Sequence, residues 1–532
     1  MIPSQPRHHV QVQLEATNAR SNLQRTPASP GSSISIHSLT VHDDTGGARH
    51  TDGVDQHYDL VIIGTGSGNS LIGPEMDHWR IAIIEKGLFG GTCLNVGCIP
   101  TKMMVYPADL AHHAAHSEHL GISTEFRGTD WPAVVQRIFG RIDPIAEGGR
   151  QYRHSLPNVD VYEGVGRFVT ERTLEVNGTR VSGDRVVIAA GARPSIPDIP
   201  GLADVPFHTS DTIMRVERQP QHLVILGGGF IASEFGHVFE GLGSAVTIVN
   251  RSHRLLQAED HDISVRFTEL ADQRFDLALG AGIEQVRHDP ATGTITLTVE
   301  CDRAYGSSDR HTRTIECDTL LVATGRIPNS DTLDVTAGGI ATDLFGNVTV
   351  DEYGRTTSRN VWALGDINGR HQLKHMANGE AKVVRANLAH DWDDTANLRR
   401  YDTRPAPHAV FSSPQIGAVG MTEAEALAHQ VATGEPYCVA VQEYGGSAYG
   451  WAMEDTSGFC KVIGNPRTRR LVGAHVIGYQ ASMLTQQLVQ GMHLGSTVDE
   501  MAEGQVWIHP ALNEVNEVAL LQLMEAFDTC TP

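Results

Sequence analysis

The strongest constraint on the fold of this chain is a pattern that occurs twice: a short β-branched run, a glycine-rich turn, and a second apolar run. The first copy reads Tyr58-Asp59-Leu60-Val61-Ile62-Ile63, Gly64-Thr65-Gly66-Ser67-Gly68-Asn69, then Ile81-Ala82-Ile83-Ile84-Glu85. The second reads Leu223-Val224-Ile225-Leu226, Gly227-Gly228-Gly229-Phe230-Ile231-Ala232, then Ala245-Val246-Thr247-Ile248-Val249-Asn250. Uninterrupted apolar runs of this length read as strands buried on both faces, as in a parallel sheet covered by helices. Two such units in a chain of 532 residues predict an α/β protein with two Rossmann-like dinucleotide-binding domains.

Glycines at Gly64 and Gly66, and again at Gly227 and Gly229, let the backbone approach a pyrophosphate at a helix N-terminus. The second copy completes GxGxxA with Ala232; in the first, Asn69 stands where a third small residue is usual, which predicts altered helix packing. Glu85 closes the first unit with a carboxylate that would accept ribose hydroxyls, suiting the AMP half of FAD. The second closes with Asn250, then Arg251 and Arg254; the missing acid and the two guanidiniums suit a 2′-phosphate, hence NADPH over NADH. Two further buried runs end in small-residue turns, at Gly191 and Gly325, and would form the crossings between the nucleotide units. Val361-Trp362-Ala363-Leu364-Gly365-Asp366 is another strand presenting a carboxylate at its end, a candidate contact for the ribityl chain of a flavin.

The net charge of −22 (41 basic against 63 acidic residues) argues against nucleic acid or an acidic membrane surface as a partner. The seven cysteines do not form a secreted framework, no apolar run has the length of a membrane span, and no signal-peptide core opens the chain, so a reducing cytoplasm is expected. His112, His113, His116 and His119 sit among alanines on what reads as an exposed helix, and no metal centre is expected there.

The predicted organisation is a disordered extension over 1–56, a first nucleotide domain over 57–193, a second over 194–325, a central segment over 326–400 that completes the first site, and a C-terminal α+β domain over 401–532. Within the first domain, Cys93 and Cys98 are five positions apart, which an ideal helix would separate by about 8.7 Å. A disulfide between them therefore requires a broken first turn, which Gly97 permits, and a bridge in irregular backbone suits a working redox couple. Spacing alone leaves open two buried apolar thiols. In the last domain, Trp507-Ile508-His509-Pro510-Ala511-Leu512-Asn513-Glu514 places a histidine at a helix entrance, with Pro510 expected in the first turn and Glu514 on the same face as an acid/base partner. By itself His509 reads as structural rather than catalytic.

With these residues assembled, the chain resembles the pyridine nucleotide-disulfide oxidoreductases, the family of glutathione reductase and dihydrolipoamide dehydrogenase. The resemblance runs from about Tyr58 to the C-terminus and rests on GGTCLNVGCIPTK at 90–102, QLKHMANGEA at 372–381 and HPALNE at 509–514. It implies a homodimeric flavoenzyme with FAD in the first unit and NADPH in the second, reducing a small-molecule disulfide, foremost that of a cysteine-glucosamine-inositol thiol. Cys93 would be the interchange thiol and Cys98 the thiolate against the flavin. Lys102 would pair with Glu234 beside the flavin, and Phe230 would cover the nicotinamide pocket. Thr92, Gly166, Gly191, Ala377 and Gly325 would line the cofactors. His509 and Glu514 would complete the disulfide site of the other subunit. Within the family, a dihydrolipoamide dehydrogenase would carry an acid where Asn250 stands, and a glutathione reductase would carry an arginine in the segment 69–79, which has none. A mercuric reductase or a large thioredoxin reductase would carry a C-terminal cysteine pair, where this chain has only Cys530.

Overall fold

The structure, a computed structural model, describes residues 55–529. The expected N-terminal extension lies outside the described residues apart from its last two positions, and Gln56 already opens the first strand. Cys530 also lies outside them.

The first sheet contains β1 (Gln56–Ile63), β2 (Ile81–Glu85), β3 (Val159–Glu163), β4 (Arg167–Thr170), β5 (Thr173–Val176) and β6 (Thr179–Ile188), in the order β3-β2-β1-β6-β5-β4. β1 pairs in parallel with β2 on one side and β6 on the other, so the strand order reverses there and a crevice opens beyond its C-terminal end. Alternation along β1 divides the core in two. Val61 and Ile63 face Val186 and Ile188 on one side, while Leu60 and Ile62 join Ile81, Ile83 and Val187 on the other. Both faces are buried, which is why the run is apolar without a break.

After β7 (Ala192–Pro194) the plan repeats. β8 (His222–Leu226), β9 (Ala245–Val249) and β10 (Asp276–Ala278) form an all-parallel sheet with β14 (Thr319–Val322), in the order β10-β9-β8-β14. Between β10 and β14 the chain builds an antiparallel sheet from β11 (Gly282–Asp289), β12 (Thr294–Asp302) and β13 (Arg310–Cys317). β15 (Arg326–Pro328) then pairs antiparallel with β7, so the two expected crossings lie side by side. β16 (Val361–Ala363) returns to the first sheet beside β6. The C-terminal region is α+β: β17 (His408–Val410), β18 (Gln415–Gly420), β19 (Cys438–Glu443), β20 (Phe459–Asn465) and β21 (Arg470–Gly478) form an antiparallel sheet in the order β17-β18-β21-β20-β19.

Among the helices, α1 (Gly91–Asn95), α2 (Cys98–Ala115) and α3 (Trp131–Ser155) follow β2. α4 (Phe230–Gly241) follows the second glycine turn, and α5 (His261–Asp272) follows β9. α6 (Lys374–Asn387) follows β16, and α7 (Glu514–Thr529) closes the described chain. No helix among the described residues is long and apolar enough to cross a membrane.

Candidate active site

The two glycine turns solve one steric problem in the same way. Gly64 (φ +98°) and Gly227 (φ +123°) each lie so close to the next strand's end that a Cβ would collide with a carbonyl oxygen, that of Ala189 and of Ala323 respectively. Beyond Gly229 there is open space, as a phosphate cradle requires. The turns then diverge. The second runs into α4, with Ala232 fully buried and Phe230 half exposed at the helix start. The helix expected after the first turn is absent, replaced by the short 3-10 turns Ser67–Ser70 and Pro74–Met76. Asn69 explains the difference in part. Its side-chain oxygen and backbone carbonyl accept from Arg153 at 3.2 and 2.7 Å, which ties the turn to α3 rather than to a helix of its own.

Glu85 reaches back across the first crevice, accepting from the Thr65 N–H at 2.8 Å and the Thr65 hydroxyl at 2.7 Å. Gly166 follows β3 and packs on Ile84. Gly191 and Gly325, at φ +65° and +124°, flank the paired crossings and face open space. Asp366 lies in the 3-10 turn Gly365–Asn368 after β16, where burial raises its carboxyl above the usual range against the pull of Arg326 and Lys374. Glu380, not singled out from the sequence, holds that turn in place: it accepts from the Gly365 N–H at 2.7 Å and from the Asn368 amide at 3.1 Å. Ala377 packs against Gly365 from one turn further back in α6. The second crevice has Asn250 pressed on Gly228, its amide donating to the carbonyls of Ser252 and Arg254 at 3.1 and 2.9 Å. Asn250 therefore shapes the loop that carries exposed Arg251 and half-buried Arg254.

The redox pair straddles the break that the spacing required. α1 ends at Asn95 and α2 begins at Cys98. Gly97 serves through close approach rather than an unusual φ, since a Cβ there would lie 2.9 Å from the Thr92 carbonyl oxygen and 3.3 Å from the Cys93 Cα. Thr92 itself is exposed beside it. Both cysteines are free thiols, Cys93 half-buried and Cys98 exposed, so the structure shows the dithiol state of the couple. A hydrogen bond from Cys98, with help from the Lys374 charge, brings Cys93 down to about 7 against burial and Asp366. The same hydrogen bond pushes Cys98 far up. The pair thus gives up one proton near neutrality and holds the other.

One turn beyond Cys98, Lys102 does not form the expected ion pair with Glu234. Its ammonium is buried without a hydrogen-bond partner among the described residues and lies over the ring of Phe411. Glu234 instead accepts from the Phe411 backbone N–H at 2.9 Å. Phe411 thus occupies the position expected for a direct contact. Burial brings Lys102 down to about 8, opposed by the charges of Glu234, Asp109 and Cys98, and burial also raises Glu234. Further along α2, His112 is less exposed than its sequence context implies. Its ring meets His237 edge-on, with centroids 6.1 Å apart, and burial drives its pKa down to about 3.

In the C-terminal region, His509 Nδ1 and a Glu514 carboxylate oxygen are 2.7 Å apart, and the other oxygen accepts from the Ala511 N–H at 3.2 Å. The local route differs from the expectation. Pro510 follows a cis peptide bond in a turn outside the helix, and Glu514 is the first residue of α7. The hydrogen bond to His509 holds the Glu514 carboxyl below its ordinary value. The His509 ring is 72% exposed and Glu514 only 17%, so the ring is presented outward from an anchored acid.

Residues 58–381 match the family model described as pyridine nucleotide-disulphide oxidoreductase, and residues 406–519 match its dimerisation domain. The chain is 47% identical over 475 residues to the mycothione reductase of Mycobacterium tuberculosis, covering 88% of this chain and 99% of that one. It is 29% identical to the mercuric reductase of Staphylococcus aureus, covering 84% and 79%. Among solved structures, the HOCl-induced flavoprotein disulfide reductase RclA from Escherichia coli matches with a TM-score of 0.72 at 29% identity, covering 89% of this chain and all of that one. Duplicated nucleotide crevices, a thiol pair on a broken helix and these matches together place the chain in the pyridine nucleotide-disulfide oxidoreductase family, as a flavoprotein disulfide reductase.

Proposed function

We propose that this enzyme uses NADPH to reduce a low-molecular-weight disulfide, mycothione foremost, as a homodimer in a reducing cytoplasm. The observation that carries the substrate assignment is the 47% identity to mycothione reductase across nearly the whole of both chains, against 28–30% for the mercuric reductases. The domain boundaries at 56, 193, 325 and 400 and the site roles belong to the same reading.

FAD fits the first crevice on the chemistry of its lining: Glu85 at the ribose end, the half-buried Asp366, and the unpartnered buried ammonium of Lys102 toward the redox pair. When bound it supplies a two-electron link between the dinucleotide and the Cys93–Cys98 disulfide. Glu85 excludes a 2′-phosphate from that crevice by charge, while Arg251 and Arg254 favour one in the other. Phe230, half exposed at the start of α4, would shield the nicotinamide end of a bound NADPH from water. Once the pair is a dithiol, the Cys93 thiolate attacks one sulfur of the substrate. A mixed disulfide forms, and the leaving thiolate takes a proton from His509, which Glu514 orients through Nδ1. Cys98 then attacks Cys93, the second substrate thiolate leaves and is protonated, and the bridge is restored. The His509 ring is held by Glu514 yet largely exposed, which supports its serving the pair of the other subunit.

Turnover with NADPH should be fastest on mycothiol disulfide, well above glutathione disulfide or lipoamide. Equal or greater turnover on lipoamide with NAD would replace this reading with a dihydrolipoamide dehydrogenase.

A further inference from the structure

The reaction above makes no use of Lys374, yet its ammonium is moored at the glycine turn that abuts the helix of Cys93, and its charge acts on Cys93. Lys374 is the first residue of α6, half-buried, and its ammonium donates to the Ser67 hydroxyl at 2.9 Å. Ser67 in turn donates to the side-chain amide oxygen Oδ1 of Asn378 at 3.3 Å. Ser67 follows Gly66, and a Cβ added to Gly91 would lie 2.6 Å from the Gly66 Cα, so the glycine turn leans directly on the start of the helix that carries Cys93. A side chain from residue 374 is thus moored on a loop 307 positions earlier in the sequence.

We propose that Lys374 is the supporting cation of the interchange thiol: moored by Ser67, its ammonium stabilises the Cys93 thiolate and sets the pH range over which Cys93 attacks a disulfide. The proposal rests on the reading of Cys93 as that thiol. The charged and titratable groups around Cys93 are Cys98 from α2, Lys374 from α6 and Asp366 from the turn after β16, with Arg326 from β15 acting on Asp366. Of these, Lys374 is the cation that acts on Cys93, and it opposes Asp366.

A cation beside a thiolate has two opposed effects. It increases the fraction ionised at a given pH, and it lowers the nucleophilicity of each thiolate, with a Brønsted coefficient of about 0.4–0.5. Removing the charge should therefore move the midpoint of Cys93 reactivity up by about one pH unit, at the low end of what a neighbouring charge does. The same change should raise the plateau rate at high pH by roughly threefold. A merely structural lysine produces neither change.

The test is the pH profile of iodoacetamide alkylation at Cys93, read by peptide mass spectrometry in the FAD-loaded Cys98→Ser protein, with and without Lys374→Met. Lys374→Met should raise both the midpoint and the plateau, and Lys374→Arg should restore the midpoint to within a few tenths of a unit. If Lys374→Met fails to fold, Ser67→Ala, which frees the ammonium but keeps its charge, should move the midpoint in the same direction by less. An unchanged midpoint in a folded Lys374→Met or Ser67→Ala protein, even with weakened FAD retention, overturns the proposal and leaves Lys374 as a brace for the glycine turn. Failure of the parent reading looks different: alkylation of Cys93 in the reduced wild-type enzyme would then leave disulfide turnover intact.

Discussion

Replacing Glu514 with alanine tests whether the exposed histidine works alone or as half of a unit. The hydrogen bond to His509 spans 2.7 Å and leaves the imidazole with Nδ1 donating and Nε2 free to exchange a proton with a leaving thiolate. A hydrogen bond to a charged group contributes roughly 1.5–3 kcal/mol where it is shielded. Here the acid is 17% exposed but the ring 72%, so about half of that survives screening, on the order of 1 kcal/mol. At about 1.4 kcal/mol per tenfold, Glu514→Ala should lower kcat with the disulfide substrate by roughly fivefold. His509→Ala should cost at least about a hundredfold, the usual contribution of a positioned acid/base group. If Glu514 acts only through the ring, the double variant should match His509→Ala alone. The half-reaction in which NADPH reduces the enzyme, followed by stopped flow, should be unchanged in all three. A double variant about fivefold slower than His509→Ala would refute the dyad and assign Glu514 an independent role at the start of α7. A parallel slowing of the NADPH half-reaction would show that the substitutions act on the fold.

Replacing Arg251 and Arg254 with alanine should raise KM for NADPH by at least about tenfold, the loss of a charge-assisted phosphate contact, and leave KM for NADH nearly unchanged; equal effects would remove the 2′-phosphate reading. Lys461, 1% exposed, contacts Asp260, Asp262 and Glu423 at 2.8, 2.6 and 2.7 Å, joining the start of α5 to β20. Lys461→Met leaves Asp260, also 1% exposed, without its cation and should cost about 3–5 kcal/mol in chemical denaturation. Burial pushes Asp260 up, but the Glu423 N–H and Lys461 outweigh it and hold it below the ordinary carboxyl value; burial pushes Lys461 down, but its three carboxylates hold it up. The stabilisation is therefore complete between the unfolded values of about 3.9 and about 10.4, lost on the acid side as pH falls through the folded Asp260 value and on the alkaline side as pH rises through the folded Lys461 value. A penalty near 1 kcal/mol at pH 7 would show that water reaches the site.

What was legible in the sequence was local. The two glycine turns, the broken helix between Cys93 and Cys98, and the shift to an antiparallel α+β region all follow from backbone sterics and apolar period within a dozen residues. What was not legible depends on contacts between distant segments. Phe411 comes from the last third of the chain to fill the space between Lys102 and Glu234, and no spacing near either residue records it. Where the first helix is missing, the turn is tied down by Arg153, 84 positions after Asn69. His112 reads as exposed because its neighbours are alanines, yet α4 packs across it. Pro510 fits a first helical turn by its fixed φ, but the Glu514 carboxylate accepts from the Ala511 N–H, so the turn closes ahead of the helix. Glu380 stood within a motif that the sequence did offer, and a carboxylate at the ninth position of that segment was the signal that it braces the turn carrying Asp366.

The pairing of β7 with β15 has a consequence for how this architecture can be assembled and taken apart. The second glycine unit begins and ends on one two-stranded ribbon, with the Ser195 N–H donating to the Gly325 carbonyl at 2.9 Å and the Thr324 hydroxyl to the Ser195 carbonyl at 2.8 Å. Its two ends are adjacent, so the unit is an insertion in the topological sense. Excising it would leave one short gap to close, with every strand of the first sheet still present and in order. A modular gene could acquire, exchange or lose such a unit without redesigning the host.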